Sequence, residues 1–461
     1  MDIQITYRGK AAAKLKESKI KEWDFVQVST PKLNVEGIVL PRPELGEDRF
    51  ITIKLSTGYN VGIDVDNILS IKKIGHEKGE YKLPEKAKEP DSTKKRVPIL
   101  GCGGTIASRL DYQTGAVIPA LTPVELYSMV PELADIAFIE PRLLFELLSE
   151  DMQPENWVKI SAEIIKEIEQ DAQGIVLAHG TDTLGFTAAA TAFLIQNLKI
   201  PLVFVGAQRS SDRPSSDAAL NLIAGATVAT KSDIAESIVS MHGHISDRIT
   251  FVHRGTRVRK MHSSRRDAFR TMGDLPLAIA RKGKLKLLRN DYNKRGSAKG
   301  EIYADTRIES KVALLYTYPG IGRDRVDSLI DAGYKGIVIA GTGLGHTPQC
   351  LFPAIERAIE SEIPIVITTQ CLNGFVGLNV YSNGRRLLNL GVIPGKNILP
   401  ETALVKLMVI LGRTQNEEEI QSLMLTNLAG EFSAMESYYA YSLIQGGVPE
   451  TNNFLKKIWM D

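Results

Sequence analysis

From Val97 onward the sequence alternates short apolar runs with longer helical stretches, and this alternation limits the chain to few architectures. Strands that end in glycine and polar residues are predicted by VPILGCGGT, GIVLAHGTD, PLVFVGAQR and SIVSMHGH. Helices are predicted at residues 153–170 and 186–198, and a long helical end at 402–446. Fully apolar strands that alternate with helices are typical of a parallel sheet covered on both faces. We therefore predict an α/β fold with a doubly wound sheet.

Two changes of pattern divide the chain. Residues 23–74 give short, alternating, β-branched segments between turn residues, which is typical of a small antiparallel barrel. The stretch HEKGEYKLPEKAKEPDSTKKR is rich in lysine, glutamate and proline, which indicates an exposed linker. We predict a small β-barrel accessory domain at 1–75, the linker at 76–96, a large α/β domain with the active site at 97–290, a connector at 291–310 and a smaller C-terminal α/β domain at 311–461.

Composition indicates a soluble protein of two or three domains. The chain has 461 residues, of which 43% are hydrophobic and 24% charged, and its net charge of +2 gives no global case for nucleic-acid binding. Because no apolar run reaches about 18 residues and the N-terminus lacks an apolar core, we predict neither a membrane span nor a signal peptide.

Cysteine and histidine usage gives no sign of a structural metal or disulfide framework. Cys102, Cys350 and Cys371 are odd in number and far apart, which favours a reducing, cytoplasmic setting. The histidines at 242, 244 and 253 lie close together, but strand-end histidines are more often satisfied by their neighbours. We predict no metal site.

Polar residues follow three of the predicted strands directly. They are GGT at 103–105, HGTDT at 179–183 and AQRSSD at 207–212. Open α/β sheets bind ligands beyond the carboxyl ends of their strands. All three segments belong to one predicted domain, so we expect them to border one crevice.

Several familiar sites do not fit these segments. Cys102 lacks the flanking glycine spacing of a nucleophile elbow. The serine pairs at 210–211 and 215–216 lack the glycine-rich surroundings of a serine–serine–lysine amidase. GCGGT lacks the lysine and spacing of a phosphate loop. A threonine remains possible as nucleophile, with a lysine as base and an aspartate to orient the lysine. A strand-end threonine is more often a cap, so the residues alone leave both interpretations open.

Six segments resemble the L-asparaginase/glutaminase family and occur in that family's order. They cover about 97–446 and read GGTIAS, HGTDTL, VGAQRSSDRPSSDAALNL, VRKMHSSRRDAF, GIVIAGTGLGH and GVIPGKNILPETALVKLM. The resemblance implies a large doubly wound domain followed by a smaller one. It also implies hydrolysis of a side-chain amide.

The resemblance carries catalytic roles to individual positions. Thr105 matches the threonine proposed as nucleophile in the family. Thr181, Asp182 and Lys260 match its second threonine–aspartate–lysine set. Tyr112 matches the tyrosine of the mobile loop after GGTIA, although the length of that loop varies within the family.

Two further positions match substrate contacts. Ser149 and Glu150, in LLSEDMQPENW, correspond to a pair that is Ser-Gln in many bacterial asparaginases. The glutamate is therefore a departure, and it leaves the preference for glutamine or asparagine open.

The preceding 96 residues narrow the resemblance. With DYQTGAVIPALTP and RGTRVRKMHSSRRDAFR, they resemble the asparaginase-like glutaminase subunit of archaeal glutamyl-tRNA(Gln) amidotransferases. That resemblance implies a homodimer without a cofactor of its own. It implies a partner, the E subunit, that uses ATP and Mg²⁺, and it implies glutamine and tRNA(Gln) charged with glutamate as substrates.

Two other functions stay open at this stage. One is a free-standing L-asparaginase with an accessory domain, and the other is a non-catalytic binding module on the same scaffold. The basic stretch 254–270 is compatible with RNA phosphate contacts, but we favour a scaffold of ion pairs around Lys260.

Overall fold

In the computed structural model, the structure describes residues 6–42, 47–55, 60–76, 91–103, 108–110, 117–119, 126–127, 130–209, 215–436, 440 and 456. Within these ranges the helices are α1 Gly9–Glu17, α2 Leu133–Ile136, α3 Pro154–Glu169, α4 Leu184–Leu194, α5 Ala218–Lys231, α6 Asp324–Asp331, α7 Phe352–Glu360, α8 Ser382–Leu390, α9 Pro400–Arg413 and α10 Glu417–Leu425. Short 3-10 helices lie at Val65–Asn67, Ser149–Asp151, Gly255–Arg257 and Gln349–Leu351.

The strands fall into groups that follow the chain. The first group is β1 Asp24–Ser29, β2 Asn34–Val39, β3 Phe50–Leu55, β4 Asn60–Asp64 and β5 Ser70–His76. The second is β6 Arg96–Cys102, β7 Ser108–Leu110, β8 Val117–Pro119, β9 Phe138–Phe145, β10 Ile175–Ala178, β11 Ile195–Gln196, β12 Leu202–Val205, β13 Ser237–His242, β14 Thr250–Arg254, β15 Val258–Lys260, β16 Phe269–Thr271, β17 Ala278–Arg281, β18 Lys284–Leu287 and β19 Tyr303–Ala304. The last is β20 Val312–Tyr316, β21 Gly336–Gly341, β22 Ile365–Thr369 and β23 Ile393–Pro394.

The N-terminal unit is a five-stranded antiparallel sheet in the order β4-β3-β2-β1-β5. Alternate residues of its strands, such as Val26 and Ile53, point into one core. Ala11 and Leu15 of α1 join that core, so a helix covers the apolar face. The predicted small β domain is confirmed. Within the described ranges, however, no strand pair closes the sheet into the predicted barrel.

The central unit is an eight-stranded sheet in the order β18-β17-β14-β13-β12-β10-β6-β9. Strands β9, β6, β10, β12 and β13 are parallel, and β14, β17 and β18 extend the sheet antiparallel. Helices cover both faces, α4 on one side and α5 on the other. The predicted doubly wound α/β fold is therefore confirmed, with an antiparallel edge in addition.

The parallel strands place the ligand crevice. Numbered along the chain, the five strands stand in the order 2-1-3-4-5, with β6 as the first and β10 as the third. The connections from these two neighbours leave toward opposite faces of the sheet. Ligands of open α/β sheets bind at such a switch point, beyond the carboxyl ends of the strands. The HGTDT segment begins at this edge, directly after Ala178 of β10.

The C-terminal unit is a parallel sheet in the order β20-β21-β22-β23. Helix α9 packs on β21 and also on α4, so it joins this sheet to the central unit. The predicted helical end at 402–446 differs from the structure. It breaks between α9 and α10, where the Asn416 side chain accepts the Glu419 N–H as an N-cap. The helix after it ends at Leu425, and residues 426–432 form a turn that contains a glycine with φ of +74°.

Candidate active site

Three of the residues singled out in the sequence meet at the switch point. Lys260 Nζ donates to Thr181 Oγ1 at 2.9 Å and to Asp182 Oδ1 at 2.8 Å. The lysine side chain is 14% exposed, whereas the Asp182 side chain is 65% exposed. The lysine therefore approaches from within the protein, and the carboxylate lies on the solvent side. A hydroxyl, an amine and a carboxylate in one contact set are the groups of a base-activated nucleophile.

The HGTDT turn follows β10 and is fixed by close packing. A Cβ atom at Gly180 would lie 2.6 Å from Ser149 Cβ, so only glycine lets the turn approach the 3-10 helix at Ser149–Asp151. The Thr183 N–H donates to Ser149 Oγ at 3.0 Å, and Thr183 Oγ1 donates to Ser149 O at 2.7 Å. Ser149 is thereby held against the turn, and Glu150 beside it is exposed.

His179 anchors the turn from beneath. Its Nδ1 donates to Gly180 O at 2.7 Å, and its Nε2 lies 2.9 Å from Thr187 Oγ1. Trp157 Nε1 donates to that same hydroxyl at 3.1 Å. Burial lowers the pKa of the His179 imidazole to about 4, so the ring is neutral near pH 7. A neutral ring that donates through Nδ1 and accepts through Nε2 satisfies the whole chain of contacts.

Lys260 comes to this turn from the end of β15. This short strand pairs with β16, and Lys260 lies opposite Phe269. Nε of the neighbouring Arg259 lies 3.4 Å from Oε1 of Glu401, at the start of α9. Burial raises the pKa of the Glu401 carboxyl, and the Arg259 guanidinium opposes that rise. The strand is thus tied to the C-terminal unit.

The rest of the basic stretch also has acidic or carbonyl partners, in agreement with the ion-pair interpretation. The contacts join Arg254 with Glu236, Arg257 with Met272 O and Glu431 O, Arg265 with Asp267, Arg266 with Asp247, and Arg270 with Asp267. These pairs fix the strands around the site.

Comparison with known proteins assigns three parts of the chain to family models. The family model "Asparaginase, N-terminal" matches residues 96–293, "Glutaminase/Asparaginase C-terminal domain" matches 311–424 and "GatD N-terminal domain" matches 20–74. The D subunit of the glutamyl-tRNA(Gln) amidotransferase of Pyrococcus furiosus is 51% identical over 91% of this chain and 96% of its own. The corresponding D subunit of Thermococcus kodakarensis is 53% identical over 87% and 91%.

The chain belongs to the family of glutamyl-tRNA(Gln) amidotransferase D subunits.

Solved asparaginases share the fold of its two α/β units. The thermostable L-asparaginase from Thermococcus kodakarensis superposes with a TM-score of 0.65 at 33% identity, over 74% of this chain and 99% of its own. L-asparaginase I from Vibrio cholerae gives 0.64 at 27% identity over the same shares. The resemblance stated from the motifs is therefore confirmed at the level of family and fold.

Two members of the predicted site lie outside the described residues, namely Thr105 and Tyr112. Strand β6 leads toward the first of them, and Gly101 near its end is paired with Ala178 of β10. Our expectation that Thr105 and Thr181 share one pocket stays a prediction.

The sequence argument missed the residues that hold the turn. It gave no role to Thr183, whose hydroxyl fixes Ser149, or to the contacts of Trp157 and Thr187 behind His179. Trp157 and Thr187 lie on α3 and α4, and no spacing in the sequence shows that they meet. Buried Cys102 has its thiol pKa raised by burial, which opposes thiolate formation and agrees with a structural role.

Within the described ranges, no helix combines the length and apolar character needed to cross a membrane. In the same part of the chain, no cluster of three or more histidine, cysteine, aspartate or glutamate side chains is arranged to hold a metal ion.

Proposed function

We propose that this chain is the glutaminase component of a glutamyl-tRNA(Gln) amidotransferase. It hydrolyses the side-chain amide of glutamine and supplies the ammonia to a partner chain, which converts Glu-tRNA(Gln) to Gln-tRNA(Gln) with ATP. The observation that supports this most directly is the contact of Lys260 Nζ with both Thr181 and Asp182. Membership of the D-subunit family supports the choice of reaction.

The proposed chemistry is acyl transfer through a threonine. A threonine hydroxyl attacks the amide carbonyl of glutamine and gives its proton to the base. The base passes that proton to the nitrogen, the C–N bond breaks and ammonia leaves. Water then hydrolyses the ester to glutamate and restores the threonine hydroxyl. Lys260 Nζ, 2.9 Å from Thr181 Oγ1, acts as the base, and Asp182 holds the amine in place. The attacking hydroxyl is that of Thr105, the family's proposed nucleophile, or that of Thr181.

The substrate contacts follow the same carry-over. Ser149 and Glu150 adjoin the HGTDT turn and face the substrate side of the crevice in this proposal. Glu150 is exposed and carries a carboxylate, so it suits the α-amino group of a free amino acid. Tyr112 keeps the catalytic role that the family resemblance gives it.

The proposed assembly is a homodimer of this chain with the E subunit and tRNA(Gln) charged with glutamate. ATP and Mg²⁺ act in the E subunit, and this chain needs no cofactor for amide hydrolysis. A monodisperse monomer of the isolated chain in small-angle scattering at micromolar concentration would contradict the dimer.

One experiment tests the reaction and the partner together. Lys260→Met keeps much of the side-chain volume and removes the amine. We expect glutaminase turnover to fall by about two to four orders of magnitude, the usual contribution of a general base. In the reconstituted complex, glutamine-dependent amidation of Glu-tRNA(Gln) should disappear, whereas ammonium-dependent amidation should continue.

The outcomes separate the alternatives. Loss of both reactions with an intact complex would mean that Lys260 acts in RNA binding or in coupling to the E subunit. A wild-type chain that hydrolyses asparagine at full rate alone, without stimulation by the E subunit and charged tRNA, would favour a free-standing L-asparaginase. The solved L-asparaginases with TM-scores of 0.65 and 0.64 are the reason to measure asparagine alongside glutamine.

A further inference from the structure

A buried ion pair lies between α9 and the turn at residues 426–432, outside the site described above. Lys406 and Glu431 have side chains that are both 0% exposed, and Lys406 Nζ donates to Glu431 Oε1 at 2.5 Å. The ammonium also donates to Met424 O at 3.0 Å and to Thr426 O at 2.6 Å. All three N–H groups are therefore used inside the protein.

The carboxylate of this pair shapes the 426–432 turn. Glu431 Oε1 accepts the Leu428 N–H at 3.0 Å, and its Oε2 accepts the Ala429 N–H at 2.7 Å. The ring of Phe432 lies 4.7 Å from Lys406 Nζ and covers the ammonium. Without the two charged side chains, the backbone groups of this turn would lose their partners.

The turn is bound to the segment that leads to Lys260. Thr256 Oγ1 donates to Ala429 O at 3.0 Å, and Arg257 Nη1 donates to Glu431 O at 2.9 Å. Gly430, at φ of +74°, packs against Arg254 so closely that a Cβ there would lie 2.4 Å from Arg254 Cδ. The turn thus holds the backbone just before β15.

The same segment is also held from its other side. Arg257 Nε and Nη2 donate to Met272 O at 3.0 and 2.8 Å, and the Met272 N–H donates to Arg257 O at 2.8 Å. Thr402 of α9 donates to Thr256 O at 2.9 Å. Lys260 lies three residues after Arg257 and completes β15, so a continuous set of contacts runs from α9 to its backbone.

A buried pair of this kind is not needed for stability alone. Apolar residues of similar volume often replace buried ion pairs without loss of stability. A role in geometry accounts for the two charges, because each charged head orders several backbone groups of one turn. That turn contacts the segment that carries the proposed base.

We propose that Lys406 and Glu431 are positioning residues for Lys260. They order the 426–432 turn, the turn fixes Thr256 and Arg257, and these residues set where Lys260 leaves β15 toward Thr181. The proposal rests on the proposed function, because it requires that the position of the Lys260 amine limits glutaminase turnover.

The test uses the double change Lys406→Met with Glu431→Gln, which leaves no unpaired buried charge. We expect kcat for glutamine to fall by about 10- to 100-fold, the size of a displacement of about 1 Å, with KM within about twofold. The matched control is Arg413→Met with Asp305→Asn. This pair joins the far end of the same helix to the connector, with Nε and Oδ2 2.9 Å apart and side chains 19% and 11% exposed. It should leave kcat within about twofold, the range of an effect without coupling to the site.

A double-mutant cycle separates positioning from general destabilisation. In the Lys260→Met background the Lys406–Glu431 pair has no amine to position. The double change Lys406→Met with Glu431→Gln should therefore lower the residual turnover by less than about twofold. An equal further loss in both backgrounds would overturn the proposal. An unchanged kcat of the folded double variant would overturn it as well.

Two further arms keep the result decisive. If the double variant does not fold, Thr256→Val removes only the hydrogen bond from this segment to Ala429 O of the turn and should still lower kcat at unchanged KM, whereas an unchanged kcat would overturn the proposal. If Lys260→Met itself leaves glutaminase turnover unchanged, the proposed base fails and the positioning role fails with it. A fall on Lys260→Met without a fall on the pair would overturn the positioning role alone.

Discussion

The central sheet and the C-terminal sheet both end in threonine-rich turns at the carboxyl ends of parallel strands. HGTDT follows β10 in the first, whereas GTGLGH and TTQC end β21 and β22 in the second. From the sequence the two sets look alike. They differ in what the polar side chains contact.

In the C-terminal sheet, Thr369 and Gln370 donate to backbone carbonyls. Thr369 Oγ1 donates to Gly343 O at 2.5 Å, and Gln370 Nε2 donates to Thr317 O at 2.6 Å and to Ala340 O at 2.9 Å. These are ordinary structural contacts of loop residues. They close the strand ends and give the Thr369 hydroxyl a backbone carbonyl as its acceptor.

In the central sheet a cation from a distant part of the chain reaches the turn. Lys260 is 79 positions from Thr181 along the sequence, yet its amine is 2.9 Å from the hydroxyl. A strand-end threonine is thus structural when its hydroxyl bonds to the local backbone. It becomes a candidate for catalysis when a titratable group from another element contacts it.

The largest effect should come from removing the Thr181 hydroxyl, and removal of the Thr369 hydroxyl serves as its control. Thr181→Val should lower glutaminase kcat by about two to four orders of magnitude, since the proton acceptor loses its partner. Thr369→Val is the matched change in the other sheet and should leave kcat within about twofold, because the two lost hydrogen bonds, to Gly343 O and from the Cys371 N–H, cost only about 1 kcal/mol of stability each. Steady-state kinetics and thermal unfolding of both variants measure this. Equal losses at the two positions would remove the distinction between the sheets.

A smaller effect is expected from the exposed carboxylate. Asp182→Asn keeps the shape of the side chain and removes the charge that holds Lys260, so kcat should fall by about 10- to 100-fold through loss of orientation. Asp327→Asn weakens a partly buried pair with Arg357 in the C-terminal unit and serves as control. Turnover of the Asp182 variant at the wild-type level would mean that Lys260 needs no carboxylate to reach Thr181.

The sequence was sufficient to predict the fold and those site residues that lie in recognisable motifs. Local patterns predicted the α/β fold and the small N-terminal β domain, and the resemblance to the asparaginase/glutaminase family gave the set of Thr181, Asp182 and Lys260. The sequence did not predict the contacts of Trp157 with Thr187, which depend on how two helices pack. It also predicted a long helical end at 402–446, and the Lys406 contacts that order the turn after Leu425 join residues 18 to 25 positions apart, which a local pattern does not show.

Acid should weaken the central unit before the C-terminal one. Burial lowers the pKa of His179 to about 4 and that of His253 to about 3, from 6.5. The unfolded chain therefore binds protons first, and stability is lost as pH falls below 6.5 toward those values. Between pH 6.5 and 5 each histidine removes about 2 kcal/mol.

Hydrogen exchange at pH 7.5 and pH 5 can follow both units. Peptides of β10 and β14 should lose protection at pH 5 earlier than peptides of β21 and β22. His253→Gln should reduce the pH dependence in the central unit. Earlier exchange in the C-terminal peptides, or an unchanged pH dependence in the variant, would contradict this assignment.

The smallest effect on glutaminase should come from deleting the N-terminal unit. Its core cluster contains residues from Tyr7 to Ile71 and, among the described residues, includes none from the α/β units. The sequence 76–96 between them contains few apolar residues. A chain that begins at Lys95 should therefore keep the central and C-terminal sheets, with kcat for glutamine within about twofold, as expected for an uncoupled unit. Tryptophan fluorescence and steady-state kinetics measure the folding of the shortened chain and its kcat.

Transfer to Glu-tRNA(Gln) in the presence of the E subunit should nevertheless fall, because we expect the N-terminal unit to contact the E subunit or the tRNA. Full tRNA-dependent transfer by the shortened chain would show that the N-terminal unit takes no part in assembly. Loss of free glutaminase activity would show that the N-terminal unit supports the active site.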